Sequence, residues 1–89
     1  MNETLDFGIL DYSISSEIAT ELERAKKLHP NYPTDIYHQL AIMQEEAGEV
    51  AKAVLDYKCN KVSLTDVREE LIQTAAMCVR MLENLPLPD

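Results

Sequence analysis

Between Ile36 and Val54 the apolar side chains fall at Ile36, Leu40, Met43, Ala47, Val50 and Val54, intervals of 4, 3, 4, 3 and 4. That is the period of one helix face, whereas a half-buried strand would alternate every second residue. The spacing predicts a helix from Asp35 to Tyr57 with a buried seam along one side. The same segment reads "MQEEAGEV" and places Glu45, Glu46 and Glu49 within five positions. Like charges three and four residues apart repel one another on a helix. Either they form an ordinary solvated face or something cationic belongs beside them.

The flanking segments are helical too. Two glycines in 89 residues and no alternating β-branched runs argue against a sheet. A first helix is predicted from Ser15 to Leu28, with Ile14, Ile18, Leu22, Ala25 and Leu28 at helical spacing. Ser13, Ser15 and Ser16 are its candidate N-caps, and Lys26 and Lys27 suit the negative end of its dipole. "HPNYP" ends it, because Pro30 disfavours helical backbone at His29. A third helix is predicted from Thr65 to Asn84, opened by Asp66 and Glu69 as a capping pair. It carries two apolar stripes: Val67, Leu71, Ala75, Cys78 and Leu82 form one, and Ile72, Ala76 and Val79 the other. Three helices cannot cover both stripes, so a homodimer or homotetramer is expected. The short "KCNKVSL" connection makes the second and third helices antiparallel neighbours. The expected architecture is a single all-α domain over residues 1–89, a helical bundle completed by oligomerisation.

Charge narrows the function. Sixteen Asp and Glu against eight Lys and Arg give a formal net charge of −8. Such a surface repels nucleic acid backbones, so no nucleic-acid partner is expected. It also repels free nucleotides unless bound cations invert the local field. No apolar run is long enough for a bilayer, and "MNETLDFGILDYS" lacks the basic start and apolar core of a signal peptide. A cytoplasmic protein without a membrane partner is therefore expected. Cys59 and Cys78 form no metal-binding pattern and read as free thiols.

If the second and third helices pack antiparallel, Glu46 and Glu49 face Glu70 and Gln73 across the groove, with Asp66 and Glu69 beside them. Oxygen-only ligands suit hard cations such as Mg²⁺ or Mn²⁺. A di-iron site needs Glu-x-x-His motifs, and neither His29 nor His38 stands three residues after a glutamate. Tyr32, Tyr37, His38 and Tyr57 flank the acidic motif as candidates for a base pocket. Arg80 lies too far along the third helix to be assigned to the site.

"EEAGE" at 45–49, followed after twenty residues by "ELIQ" at 70–73, resembles the two-part acidic signature of the MazG-like, all-α nucleoside triphosphate pyrophosphohydrolases. The resemblance spans Pro33 to Leu82 and includes "REELIQTAAMCVRML". It implies Mg²⁺ held by Glu46, Glu49, Glu70 and Gln73, with Glu45 as general base. It implies hydrolysis of a (d)NTP to the monophosphate and pyrophosphate. Lys52, Arg68 and His38 are candidate substrate contacts, although Lys52 also has Asp56 one turn on as an ion-pair partner. The family's aspartate is Gln73 here, so the quartet carries three negative charges rather than four. Two alternatives remain: a non-catalytic acidic interaction module of the same fold, or a phosphoribosyl-ATP pyrophosphohydrolase. The latter's shifted alignment puts Thr74 and Met77 at acidic positions, where they fit worse.

Overall fold

Local chemistry sets the helix ends. The computed structural model describes residues 3–88, with side chains over residues 13–88. It contains α1 (Glu3–Leu28), α2 (Ile36–Lys58) and α3 (Leu64–Glu83), and no strand among the described residues. Asp35 caps α2, its carboxylate accepting from the His38 N–H at 3.0 Å. Ser63 caps α3 in a reciprocal box: its hydroxyl accepts from the Asp66 N–H, and the Asp66 carboxylate accepts from the Ser63 N–H at 2.8 Å. The capping pair is therefore Ser63 with Asp66 rather than Asp66 with Glu69. Between the two helices the chain turns at Asn60, whose φ of 61° lies in the left-handed region that asparagine tolerates.

α1 is twelve residues longer at its start than the spacing from Ser15 predicted. Ser13, Ser15 and Ser16 lie inside the helix and cap nothing. A serine costs a helix interior only a fraction of a kcal/mol, too little to stop one. Upstream, Phe7, Leu10 and Ile14 continue the three-and-four spacing.

α3 is the central element. It packs on one side against α2 and on the other against α1, while among the described residues α1 and α2 do not pack together. The α2–α3 pair is antiparallel, as expected. The Gln39 amide near the start of α2 donates to the Asn84 carbonyl at 2.9 Å, and the Thr74 hydroxyl lies 3.3 Å from the Glu46 carbonyl. α1 runs parallel to α3: Glu17 pairs with Arg68 near one end and Lys26 with Glu83 near the other. Leu22 and Ala25 of α1, Ala53 of α2, and Val67 and Ala76 of α3 form the small buried core.

The regular seam of α2 is not part of that core. Gln39 and Ala53 are buried and Ile42 and Glu46 half-buried; of the seam, Met43 and Val50 are half-buried, whereas Ile36, Leu40, Ala47 and Val54 are exposed, Leu40 by 46%. Helical spacing explains the offset. Relative to the Gln39–Glu46–Ala53 line that meets α3, the seam lies on one side and His38 and Glu45 on the other. On α3, Leu71 and Leu82 are likewise exposed, by 51% and 67%, as is Cys78. Val67 and Ala75 of the same stripe do turn inward, buried and half-buried, as do Ala76, buried, and Ile72 and Val79, half-buried, of the second stripe. The back of the α2–α3 pair is thus an apolar face that the single chain leaves uncovered.

Gly48 sits mid-helix in α2, and a Cβ built there meets nothing within 4 Å. Glycine costs a helix interior about 1 kcal/mol relative to alanine. Gly48→Ala is expected to stabilise the isolated chain by about 0.5–1 kcal/mol, read from urea denaturation at low protein concentration. A loss of stability instead would mean that a second chain approaches the backbone at Gly48.

Candidate functional site

Because α1 and α2 stand apart on either side of α3, a cleft of about 430 Å³ opens between them. Its walls are α1 and α2, its floor is Gln73, Met77 and Arg80 of α3, and the linker from His29 to Pro33 closes one end. Glu45 and Glu46 project from α2 into the acidic part of the cleft, and Glu21 faces them from α1.

Glu46 is the electrostatic centre. It is half-buried, and burial raises its carboxyl above the usual glutamate range. The charges of Glu70, Glu45, Glu49 and Glu21 push it further in the same direction. Four neighbouring carboxylates therefore act on one partly desolvated carboxylate. The Thr74 hydroxyl, 2.8 Å from the Glu70 carbonyl and 3.3 Å from the Glu46 carbonyl, ties α2 to α3 at this level.

The predicted residues divide between two openings. Glu45, Glu46, Gln73 and His38 line the large cleft. Glu49 and Glu70 line a smaller groove of about 200 Å³ on the α2–α3 surface, together with Lys52, Asp56 and Asp66. Glu46 feels both sets. Among the described residues no three His, Cys, Asp or Glu side chains are grouped closely enough to hold a metal ion. The four residues that the resemblance points to offer three carboxylates and one amide, an all-oxygen chemistry of the kind that suits a hard divalent cation rather than a soft one.

The candidate phosphate contacts are both engaged. Lys52 Nζ binds Asp56 at 2.8 Å, and Arg68 holds Glu17 through two bonds of 2.5 and 2.6 Å. Each of these bonds raises the cation's affinity for its proton, the hydrogen bond contributing most. Exposed pairs of this kind are weak, so phosphate can compete for either cation. Of the aromatic candidates, Tyr32 and His38 line the cleft; Tyr37 is exposed, and Tyr57 lies outside the cleft.

Three cleft residues escaped the sequence reading: Glu21, Arg24 and Arg80. Arg24 holds the Glu21 carboxylate at 2.6 and 3.0 Å, three residues along the same helix. That spacing is visible in the sequence, but its placement opposite Glu46 depends on how α1 lies on α3. Arg80, although distant from the acidic motif along α3, reaches the other end of the cleft because α1 runs parallel to α3 and ends beside it.

No protein-family model matches the chain, and no curated protein and no solved structure matches it. No helix among the described residues is long and apolar enough to cross a membrane.

Proposed function

We propose that the protein is a Mg²⁺-dependent nucleoside triphosphate pyrophosphohydrolase of the MazG-like type, releasing a (d)NMP and pyrophosphate. The observation that carries this reading is Glu46, a half-buried carboxylate whose proton affinity is raised by burial and then by four other glutamates. Uncompensated negative charge of this density is costly unless a cation joins it. Glu46, Glu49, Glu70 and Gln73 would hold Mg²⁺, which when bound screens the phosphates and acidifies water. Mn²⁺ fits the same oxygen set.

Within that reading the side chains have separate tasks. Glu45, exposed at the cleft edge, accepts the proton of the water that attacks the α-phosphorus. Lys52 and Arg68 exchange their carboxylate partners for the pyrophosphate oxygens. His38 lines the wall next to Glu45, and Tyr32 offers an aromatic surface for the base at the far end. Incubation with a panel of NTPs and dNTPs plus Mg²⁺ tests the reading. Monophosphate and pyrophosphate should appear, and EDTA should stop them. Diphosphate and orthophosphate, or no turnover, would overturn it.

Gln73 and the division of the acidic residues between two openings favour one competing reading, a non-catalytic acidic helical module. The substitution that separates the two is Gln73→Asp. Adding a fourth charge beside Glu46 should tighten Mg²⁺ and lower the concentration needed for half-maximal activity by about tenfold; Gln73→Leu should raise it. Coincident Mg²⁺ titrations for the three proteins would place Gln73 outside the metal shell.

Assembly belongs to the same proposal. The apolar back of the α2–α3 pair is the surface through which two chains would complete a bundle in the cytoplasm, leaving the cleft on the opposite side open. Leu40→Lys and Leu71→Lys, each adding a charge to that face, should convert a dimer or tetramer to monomers in sedimentation at micromolar concentration. A wild-type monomer would exclude the interface.

A further inference from the structure

The linker that closes the cleft, from His29 to Asp35, has no regular secondary structure, yet it is tied down from α3 and α2. Arg80 donates from Nη2 to the His29 carbonyl at 2.5 Å and from Nη1 to the Ala25 carbonyl at 3.4 Å. Gln39, fully buried, donates to the Pro33 carbonyl at 2.8 Å and to the Asn84 carbonyl at 2.9 Å. Asn84 donates back to the Arg80 carbonyl at 2.8 Å. The linker is therefore clamped at both ends by one polar network.

Arg80 is the unusual member. It is only 4% exposed, and no carboxylate pairs with it among the described residues. Its charge is balanced instead by the carbonyls at the negative end of α1 and by the Tyr32 ring, 5.0 Å from the guanidinium carbon. The Tyr32 hydroxyl is shielded from solvent and has no hydrogen-bond partner among the described residues. Burial raises its proton affinity, against the nearby Arg80 charge, which lowers it, and Cys78, which raises it. An aromatic ring held on a buried cation, with an idle hydroxyl, forms the wall at one end of the cleft. Gln73, at the acidic end, lies seven residues before Arg80 on the same helix, about 10 Å along its axis. A nucleoside with its α-phosphate spans such a gap.

We infer that Arg80 is a positioning residue: it holds Tyr32 as a fixed end wall against which the base of the nucleotide packs. The inference rests on the pyrophosphohydrolase reading and deepens it. Arg80 touches no reacting atom; it acts by fixing the ring and the linker, so its effect falls on recognition of the base and not on the chemistry at the phosphates.

The test compares the wild type with Arg80→Lys, Tyr32→Leu and Tyr32→Phe. The KM and kcat for NTP are measured with Mg²⁺, together with the inhibition constant of inorganic tripolyphosphate, which carries phosphates but no base. Arg80→Lys and Tyr32→Leu should raise KM about tenfold, the usual contribution of a base stacked on an aromatic ring. The kcat and the tripolyphosphate constant should stay at the wild-type values. Tyr32→Phe keeps the ring and should raise KM by much less than Tyr32→Leu does. An unchanged KM in Tyr32→Leu, or an equal weakening of tripolyphosphate, would overturn the inference. If Arg80→Lys does not fold, Tyr32→Leu and Tyr32→Phe decide the matter alone. If the wild type cleaves no nucleotide, the hydrolase reading falls separately. A nucleoside monophosphate titrated by NMR then decides the inference: it should shift the Tyr32 ring and Arg80 Nε–H resonances, and their failure to move would overturn it.

Discussion

Replacing Glu46 with glutamine is expected to raise the metal-free melting temperature and to cut nucleotide turnover steeply. The swap keeps shape and one oxygen but deletes the charge on which Glu70, Glu45, Glu49 and Glu21 all act. The sign follows from linkage. A carboxyl whose folded pKa lies above its unfolded value binds its proton more tightly in the native state. Its favourable contribution is complete below the ordinary value of 4.5 and is lost as pH rises through the raised folded value. At neutral pH the ionised Glu46 is thus a net cost to the fold, and Glu46→Gln removes that cost. Wild-type and variant melting temperatures should converge as pH falls below the ordinary value of 4.5 and separate as pH rises above it, with the variant higher. Mg²⁺ reverses the order, since it stabilises only the protein that binds it. Turnover should drop by about two to three orders of magnitude, the usual result of losing one charge-stabilising group from a reaction centre. A variant with wild-type kcat, or one that melts lower without metal at pH 7, would remove Glu46 from the centre of the site.

The second large effect is on stability. Arg80→Met should lower unfolding free energy by about 2–4 kcal/mol, from lost charge-assisted hydrogen bonds and a lost cation–π contact. In a domain of this size each kcal/mol moves the melting temperature by roughly 4–8 °C, so a fall of about 8–32 °C is expected. The methionine fills most of the space, so the loss comes from the orphaned carbonyl of His29 and not from a cavity; the Ala25 carbonyl keeps the His29 N–H at 2.8 Å. Hydrogen exchange should quicken first in the last turn of α1. A melting temperature within about 2 °C of wild type would show that water satisfies the His29 carbonyl equally well.

The helices were legible in the sequence because their determinants are local. Asp35 and Ser63 cap where short polar side chains precede apolar periodicity, Pro30 closes α1, and the antiparallel α2–α3 pair follows from a short connection. The run of carboxylates on α2 was legible for the same reason, since Glu45, Glu46 and Glu49 lie within about one helical turn, but the structure divides the expected quartet between two openings. Two local readings failed. The serines near residue 15 resembled a cap, but the helical spacing upstream outweighed them. The α2 seam had the period of a buried face, but period does not say which partner buries it.

What the sequence by itself determined is therefore the helical class, the helix ends from Leu28 onward and the concentration of carboxylates on α2 and α3, all products of contacts within a few residues. Only the tertiary structure decided which face of α2 meets α3, that α1 and α2 stand apart to leave a cleft, and that Glu21, Tyr32 and Arg80 line it. The physical reason is that helix rotation and spacing are set by side chains far apart in the chain. The Gln39 amide buried between the Pro33 and Asn84 carbonyls, and Arg80 seated on the end of α1, turn α2 and the linker to an orientation that apolar periodicity alone does not encode.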